Sequence, residues 1–214
     1  MQDNPPTMAP FLTGKMLINN QTFRDLYRIQ NLPYDLKLKV SNVTILFTDL
    51  KGSTELYDAT GDMVAYNLVQ EHFELLKAST RDHSGAVIKT IGDAVMASFS
   101  TPLDGFTAAV DMMRRIDLTD QQHRIPGHEI ALKIGLHAGP VLAVNANESL
   151  DYFGQTVNVA ARVQGLAFAN EIWVTQPVYD AVGQETIATS GYQTERKEAT
   201  LRGVRQSAIV YKCT

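Results

Sequence analysis

The sequence predicts an α+β domain in which helices pack on a mostly antiparallel central sheet. Three observations carry that prediction. Short apolar, β-rich runs recur at 43–47, 87–91, 94–99, 130–136 and 172–175. Between them lie longer stretches whose apolar residues return every three or four positions, over 54–82, 103–117 and 155–167. The resulting order, β-α-β-β-α-β-β-α-β-α-β-β, fits a sandwich of one sheet and its helices.

Each element follows from its residues. Residues 1–13 hold three of the eight prolines and read as a mobile arm. Phe23 to Ile29 is a short amphipathic helical stretch, broken at Leu32-Pro33-Tyr34. Residues 1–40 together read as an arm or linker from an upstream regulatory region, or as a packed decoration; 41–214 read as the folded domain. Val43–Phe47 is a buried strand. The helical pattern of 54–82 breaks at Thr60-Gly61-Asp62, and its His72, like His83 just beyond, reads as a surface or interface histidine. Gly92-Asp93 is a tight turn joining two strands over 86–99. Pro102 opens the next helix. Residues 119–128 read as a polar loop. From 129 to 144 the pattern is strand, Gly139-Pro140 bend, strand, with a polar tip at 145–148. Gly154 ends a strand and opens the helix of 155–167. Ile172–Thr175 is a strand, Pro177–Val182 a short helix, 187–201 a polar strand and turn, and Ala208–Lys212 a closing strand.

Composition narrows the function. The chain has 214 residues, 44% of them hydrophobic, enough for a real core. A net charge of −4 argues against a general nucleic-acid binder. Cys213 is the single cysteine, which excludes an intrachain disulfide and a Cys-rich zinc site. No apolar run reaches ~18 residues, and the N-terminus lacks a signal-peptide layout. The expectation is a cytoplasmic protein with no membrane segment in this chain.

Two carboxylates stand at strand ends. Asp49 follows Val43–Phe47, and Gly52 then admits close backbone approach before a helix that Ser53 or Thr54 caps. Such a junction holds a cation and a polyphosphate together. Asp93 sits at the hairpin turn. If the hairpin pairs beside the first strand, the two carboxylates meet, and they repel unless a divalent cation lies between them. Lys89 interrupts an apolar strand in phase with Val87 and Ile91, so it needs an acceptor; the alternative is a snorkelling lysine on an edge strand. Asn158 and Arg162 are four residues apart on one helical face, a set of donors suited to a phosphate or an oxyanion.

Taken together, Phe-Thr-Asp49-Leu-Lys-Gly-Ser-Thr, Ile-Lys89-Thr-Ile-Gly-Asp93-Ala-Val-Met-Ala, Gly135-Leu-His-Ala-Gly-Pro-Val141 and Asp151 to Arg162 resemble the class III adenylate/guanylate cyclase catalytic domain. The likeness runs from about residue 41 to 212, and Leu201-Arg202-Gly203 and Val210-Tyr211 resemble its final strands. It implies a ferredoxin-like βαββαβ core with added strands and helices, working as a homodimer with sites at the interface. It implies that Asp49, Asp93 and the Leu50 carbonyl bind two divalent cations, Mg²⁺ or Mn²⁺. Lys89 and Asp151 match the residues that read adenine, which points to ATP; guanylate cyclases resemble this layout with Glu and a small residue there. Asn158 and Arg162 match the pair that serves the transition state from the partner subunit. Arg202 matches a basic residue that meets the terminal phosphate, and the backbone after Gly52, with Ser53 and Thr54, is set against the β- and γ-phosphates; Lys51 stands where the family is usually apolar, and either adds a phosphate contact or is solvated. The implied activity is adenylate cyclase, ATP to 3′,5′-cyclic AMP and pyrophosphate. Other readings are a guanylate cyclase, a silent nucleotide-binding or dimerisation module of the same fold, and a palm-type nucleotidyl transferase.

Overall fold

The computed structural model describes residues 12–27, 37–122, 130–146, 149–203 and 207–214. Residues 1–11 of the arm expected over 1–13, the breaker at 32–34, most of the 119–128 loop and positions 147–148 of the polar tip lie outside them; Thr13 caps α1. In chain order the elements are α1 (Gly14–Ile18), α2 (Gln21–Tyr27), β1 (Leu38–Lys51), α3 (Ser53–Thr60), α4 (Asp62–Asp82), β2 (Ala86–Ile91), β3 (Ala94–Phe99), α5 (Pro102–Gln122), β4 (Ala131–Ala146), β5 (Ser149–Phe153), α6 (Gln155–Gln164), β6 (Glu171–Thr175), α7 (Gln176–Val182), α8 (Gln184–Thr189), β7 (Thr194–Ala199) and β8 (Ala208–Cys213).

The strands form a sheet in the order β2-β3-β1-β4-β6-β8-β7, with β5 paired to β4. Only the β4–β6 pair among these is parallel; the rest are antiparallel, as the sequence pattern predicts. Alternation along the strands divides the core. Leu46 and Leu50 of β1, Val95 and Ala97 of β3, and Leu132, Ile134 and Leu136 of β4 pack with Leu76, Phe106, Met112 and Val178 from the helices on one face. Val43, Ile45 and Phe47 point the other way and cluster with Met96, Val141, Leu150, Tyr152 and Ala160. The far half of β4, with β5, therefore lies over that second face beside α6.

Several expectations change. β4 runs through Gly139-Pro140 without a bend into separate strands. The reason is in the facing strand: the register shifts between Val40 and Val43, so Ser41 and Asn42 together oppose Pro140. Asn42 takes a left-handed φ of 53° there, and proline has no N–H to leave unpaired at the bulge. The polar run after 182 contains a helix, α8, before its strand. The helix opened by Pro102 continues to Gln122, into the region read as a loop. His72 is buried, not superficial: its Nδ1 lies 2.6 Å from the Leu68 carbonyl, one turn back in α4. No helix among the described residues is long and apolar enough to cross a membrane.

Candidate active site

Two glycines of β4 set the floor of the site. A Cβ on Gly135 would lie 2.1 Å from the Gln164 backbone nitrogen, and one on Gly139 2.7 Å from Thr156 Oγ1. Helix α6 thus rests directly on β4, and any side chain at Gly135 would lift it. Thr156 Oγ1 also donates to the Pro140 carbonyl at 2.6 Å, pinning the first turn. Thr156, Val159, Ala160 and Val163 are buried by this seat. Asn158 and Arg162 consequently share the exposed face, as their spacing predicts. Neither side chain meets a partner among the described residues.

Lys89 and Asp151 come together across β2 and β5. Lys89 Nζ donates to Asp151 Oδ2 at 2.6 Å, and Asp151 Oδ1 accepts from the Tyr152 N–H at 2.7 Å. Asp151 is buried and Lys89 half-buried. The ammonium also stands 5.7 Å from the centre of the exposed Phe153 ring. The phase expected for Lys89 needs correction. A bulge between Val87 and Lys89 inserts Ile88, so Lys89 pairs with Met96 while Val87 pairs with Ala97. Val87 packs on the helix-covered core, whereas Lys89 is turned to the second face, and Ile91 ends up exposed. The strand is also an edge strand. The need for an acceptor is met by Asp151.

Asp49 and Asp93 stand at one end of adjoining strands. β1 pairs with β3 as far as Phe47↔Met96, and the turn after β2 brings Asp93 to the same end. Thr48 Oγ1 accepts from the Val95 N–H at 3.0 Å and locks that register. Asp49 continues the phase of Val43, Ile45 and Phe47, so it faces the side that carries α6. Directly opposite it on β4 is Lys133, whose Nζ pairs with Asp49 Oδ2. Sequence pattern does not mark Lys133: a lysine alternating with Leu132 and Ile134 looks like an ordinary solvent-facing strand residue. The only signal available was its register against Asp49.

Gly52 adopts φ 91° at the start of α3, where a Cβ would be strained, and leaves the first-turn N–H groups of that helix free of a side-chain cap. Ser53 and Thr54 belong to that first turn, but their side chains lie outside the described part. Lys51 is exposed at the end of β1, and Arg202 is exposed in a turn before β8. His137 of the Gly135–Val141 motif is tucked under α6 with Nδ1 2.8 Å from Thr175 Oγ1. Burial holds its pKa down to about 4, so the ring is neutral at physiological pH.

This arrangement puts carboxylates, a lysine–aspartate pair and a helix bearing an amide and a guanidinium on one sheet face. A profile of the adenylate and guanylate cyclase catalytic domain matches residues 37–213. The chain belongs to that family. Among its relatives, mouse guanylate cyclase 2G is 25% identical over 201 residues, covering 89% of this chain and 17% of that protein. The adenylate cyclase of Lachancea kluyveri is 26% identical over 175 residues, 73% of this chain and 9% of that protein. This cyclase-family chain thus spans less than a fifth of either relative. The crystal structure of the adenylyl cyclase CyaB from P. aeruginosa superposes with a TM-score of 0.72 at 20% identity, covering 84% of this chain and 96% of that one, which shows the shared class III cyclase fold.

Proposed function

We propose that this cyclase domain converts ATP to 3′,5′-cyclic AMP and pyrophosphate, at sites shared between two copies of the chain. The Lys89–Asp151 contact carries the reading of the base. An ammonium donor beside a carboxylate acceptor matches adenine, whose N1 accepts and whose N6 amino group donates. Guanine presents the reverse, an O6 acceptor and an N1–H donor. In the free chain the two side chains satisfy one another; the base edge exchanges that bond for one to each.

Asp49, Asp93 and the Leu50 carbonyl are hard oxygen donors, and they fit two divalent cations, Mg²⁺ or Mn²⁺. The fit has an observation behind it: Asp49 already draws a cation, the ammonium of Lys133, to its carboxylate. When bound, such cations neutralise phosphate charge and lower the pKa of the ribose 3′-hydroxyl. Lys133, released from Asp49, then has a phosphate oxygen within the chemistry open to it. Arg162 donates to the α-phosphate as charge builds there, and Asn158 orients the ribose. The 3′-hydroxyl gives up its proton to water and its oxygen forms a bond to the α-phosphorus as the bond to the pyrophosphate oxygen breaks and pyrophosphate leaves. The N–H groups following Gly52 hold the β- and γ-phosphates, with Lys51 and Arg202 at their margin. No protein nucleophile is needed.

The homodimer is supported by the exposure of Asn158 and Arg162, donors with no partner among the described residues. A guanylate cyclase is the second reading, since the guanylate cyclase relative matches the greater share of this chain. Incubation with ATP or GTP and Mn²⁺, followed by chromatographic identification of the product, separates them. Cyclic AMP from ATP is expected. Cyclic GMP from GTP in equal yield overturns the base assignment, and no product from either overturns catalysis.

A further inference from the structure

Helices α1 and α2 precede the family-matched span of 37–213, yet their side chains reach both strands that carry the lysine–aspartate pair. Gln21 lies along the outer edge of β2. Its N–H donates to the Gly85 carbonyl at 3.0 Å, and its Oε1 accepts from the Val87 N–H at 2.7 Å. A neighbouring antiparallel strand would use the same two groups. Val87 is the last regular position before the bulge that turns Lys89 over.

The same segment holds β5. Arg24 Nη2 donates to the Leu150 carbonyl at 2.8 Å while its Nη1 donates to the Ile18 carbonyl at 3.3 Å. Asn19 Oδ1 accepts from the Tyr152 hydroxyl at 3.0 Å. Leu150 and Tyr152 flank Asp151. Asn19 and Gln21 are 0% and 6% exposed. Buried amides are costly unless bonded, so these contacts fix a specific seat. β2 and β5 are not hydrogen-bonded neighbours in the sheet. They are tied through the sheet and through the apolar cluster that Ile88 shares with Leu150 and Tyr152; the polar contacts that join them directly are the Lys89–Asp151 pair and, through its own bonds to each, the α1–α2 segment.

We propose that α1–α2 is a positioning element for base recognition, with Gln21 steadying β2 behind Lys89 and Arg24 steadying β5 ahead of Asp151. The proposal rests on Lys89 and Asp151 reading the base. Gln21 and Arg24 do not touch the nucleotide; they act through the strands.

The test uses the full chain, with 3′-deoxy-ATP and 3′-deoxy-GTP as probes because neither can cyclise. Gln21→Ala and Arg24→Ala should each weaken 3′-deoxy-ATP binding roughly fivefold to tenfold, the scale of one lost buried contact. Binding of 3′-deoxy-GTP should change by less than about twofold, because its edge does not use the pair in this way. Arg24→Lys, which keeps the charge and a single donor, should recover part of the loss and guards against simple unfolding. Amide hydrogen exchange should quicken at 87–89 and 150–152 while the amides of β1 stay protected. Quickened exchange with unchanged binding reduces the segment to a structural role and overturns the proposal, as does unchanged exchange. Wild-type protein that shows no preference for 3′-deoxy-ATP would instead sink the base-reading assignment, and the proposal with it.

Discussion

Lys89 and Asp151 on one side, and Asn158 and Arg162 on the other, are all polar groups on the same sheet face, but they are held in opposite ways. The first two close on each other at 2.6 Å, and Asp151 is buried. The second two project from α6 with no partner among the described residues. Groups that satisfy one another within a chain can wait at little cost for a base that replaces their contact. Exposed donors on a rigid helix wait for something that arrives from outside the chain. In our reading the difference separates recognition of the base, complete in one copy, from catalysis, which needs two.

The largest effect breaks the second half of the comparison. Arg162→Ala should lower kcat roughly 10²–10³-fold, the scale of a lost transition-state donor. Asp49→Ala should be at least as severe and leave the fold intact, since Asp49 is only partly buried at a strand end. Mixing the two inactive proteins then sharpens the point. If sites are shared, about half the dimers are mixed, each has one intact site of two, and roughly a quarter of wild-type activity returns. No recovery despite demonstrated subunit exchange would put both halves in one chain.

The first half is broken by exchanging the base readers. Lys89→Glu with Asp151→Cys should raise KM for ATP by at least about tenfold, because a base edge is left mispaired in a desolvated site. Initial rates with ATP and GTP measure it; an unchanged KM for ATP would remove these residues from recognition. A smaller change disturbs the shared floor. Gly135→Ala should cost about 1–3 kcal/mol in a urea titration, since its methyl would meet backbone rather than a side chain that can rotate away. A destabilisation within error would mean α6 is free to shift.

The smallest effect concerns pH. His137 is kept neutral by burial, with its pKa lowered from 6.5 to about 4. As pH falls below 6.5 the unfolded chain takes up a proton that the folded chain refuses. Stability should therefore decline between about pH 6.5 and about pH 4, and this residue adds nothing further below that. The urea midpoint measured at pH 7 and pH 5 should drop less in His137→Asn, which retains a side-chain amide near Thr175, than in the wild type.

Much of this architecture is written locally. The apolar run before Asp49, the Gly92-Asp93 turn and the i,i+4 spacing on α6 each depend on neighbours in sequence, and each is legible. What escapes depends on the facing strand. Ile88 carries no compositional mark of a bulge, so the phase of Lys89 reads wrongly until β3 is beside it. Pro140 reads as a bend because prolines usually interrupt strands; the bulge at Ser41-Asn42 that accommodates it lies about a hundred residues earlier. Lys133 gains meaning only from its register with Asp49. The polar seat of α1–α2 is the extreme case, since Gln21 and Arg24 look like ordinary surface residues of a short helix.

Among the described residues, the strands at the two ends of the sheet order, β7 and β2, are guarded differently. β7 presents Glu195, Arg196, Lys197 and Glu198, and such a charged rim repels a like strand by itself. β2, Ala86 to Ile91, offers only Lys89 against a row of apolar and β-branched residues. Its protection is borrowed from Gln21, which occupies the Gly85 carbonyl and the Val87 N–H. Trimming the chain to the span shared with its relatives would uncover the Gly85 carbonyl and the Val87 N–H, leaving the bulge at Ile88 as what interrupts that edge. Light scattering of the trimmed chain against the full chain at equal concentration would show whether copies then pair along that edge.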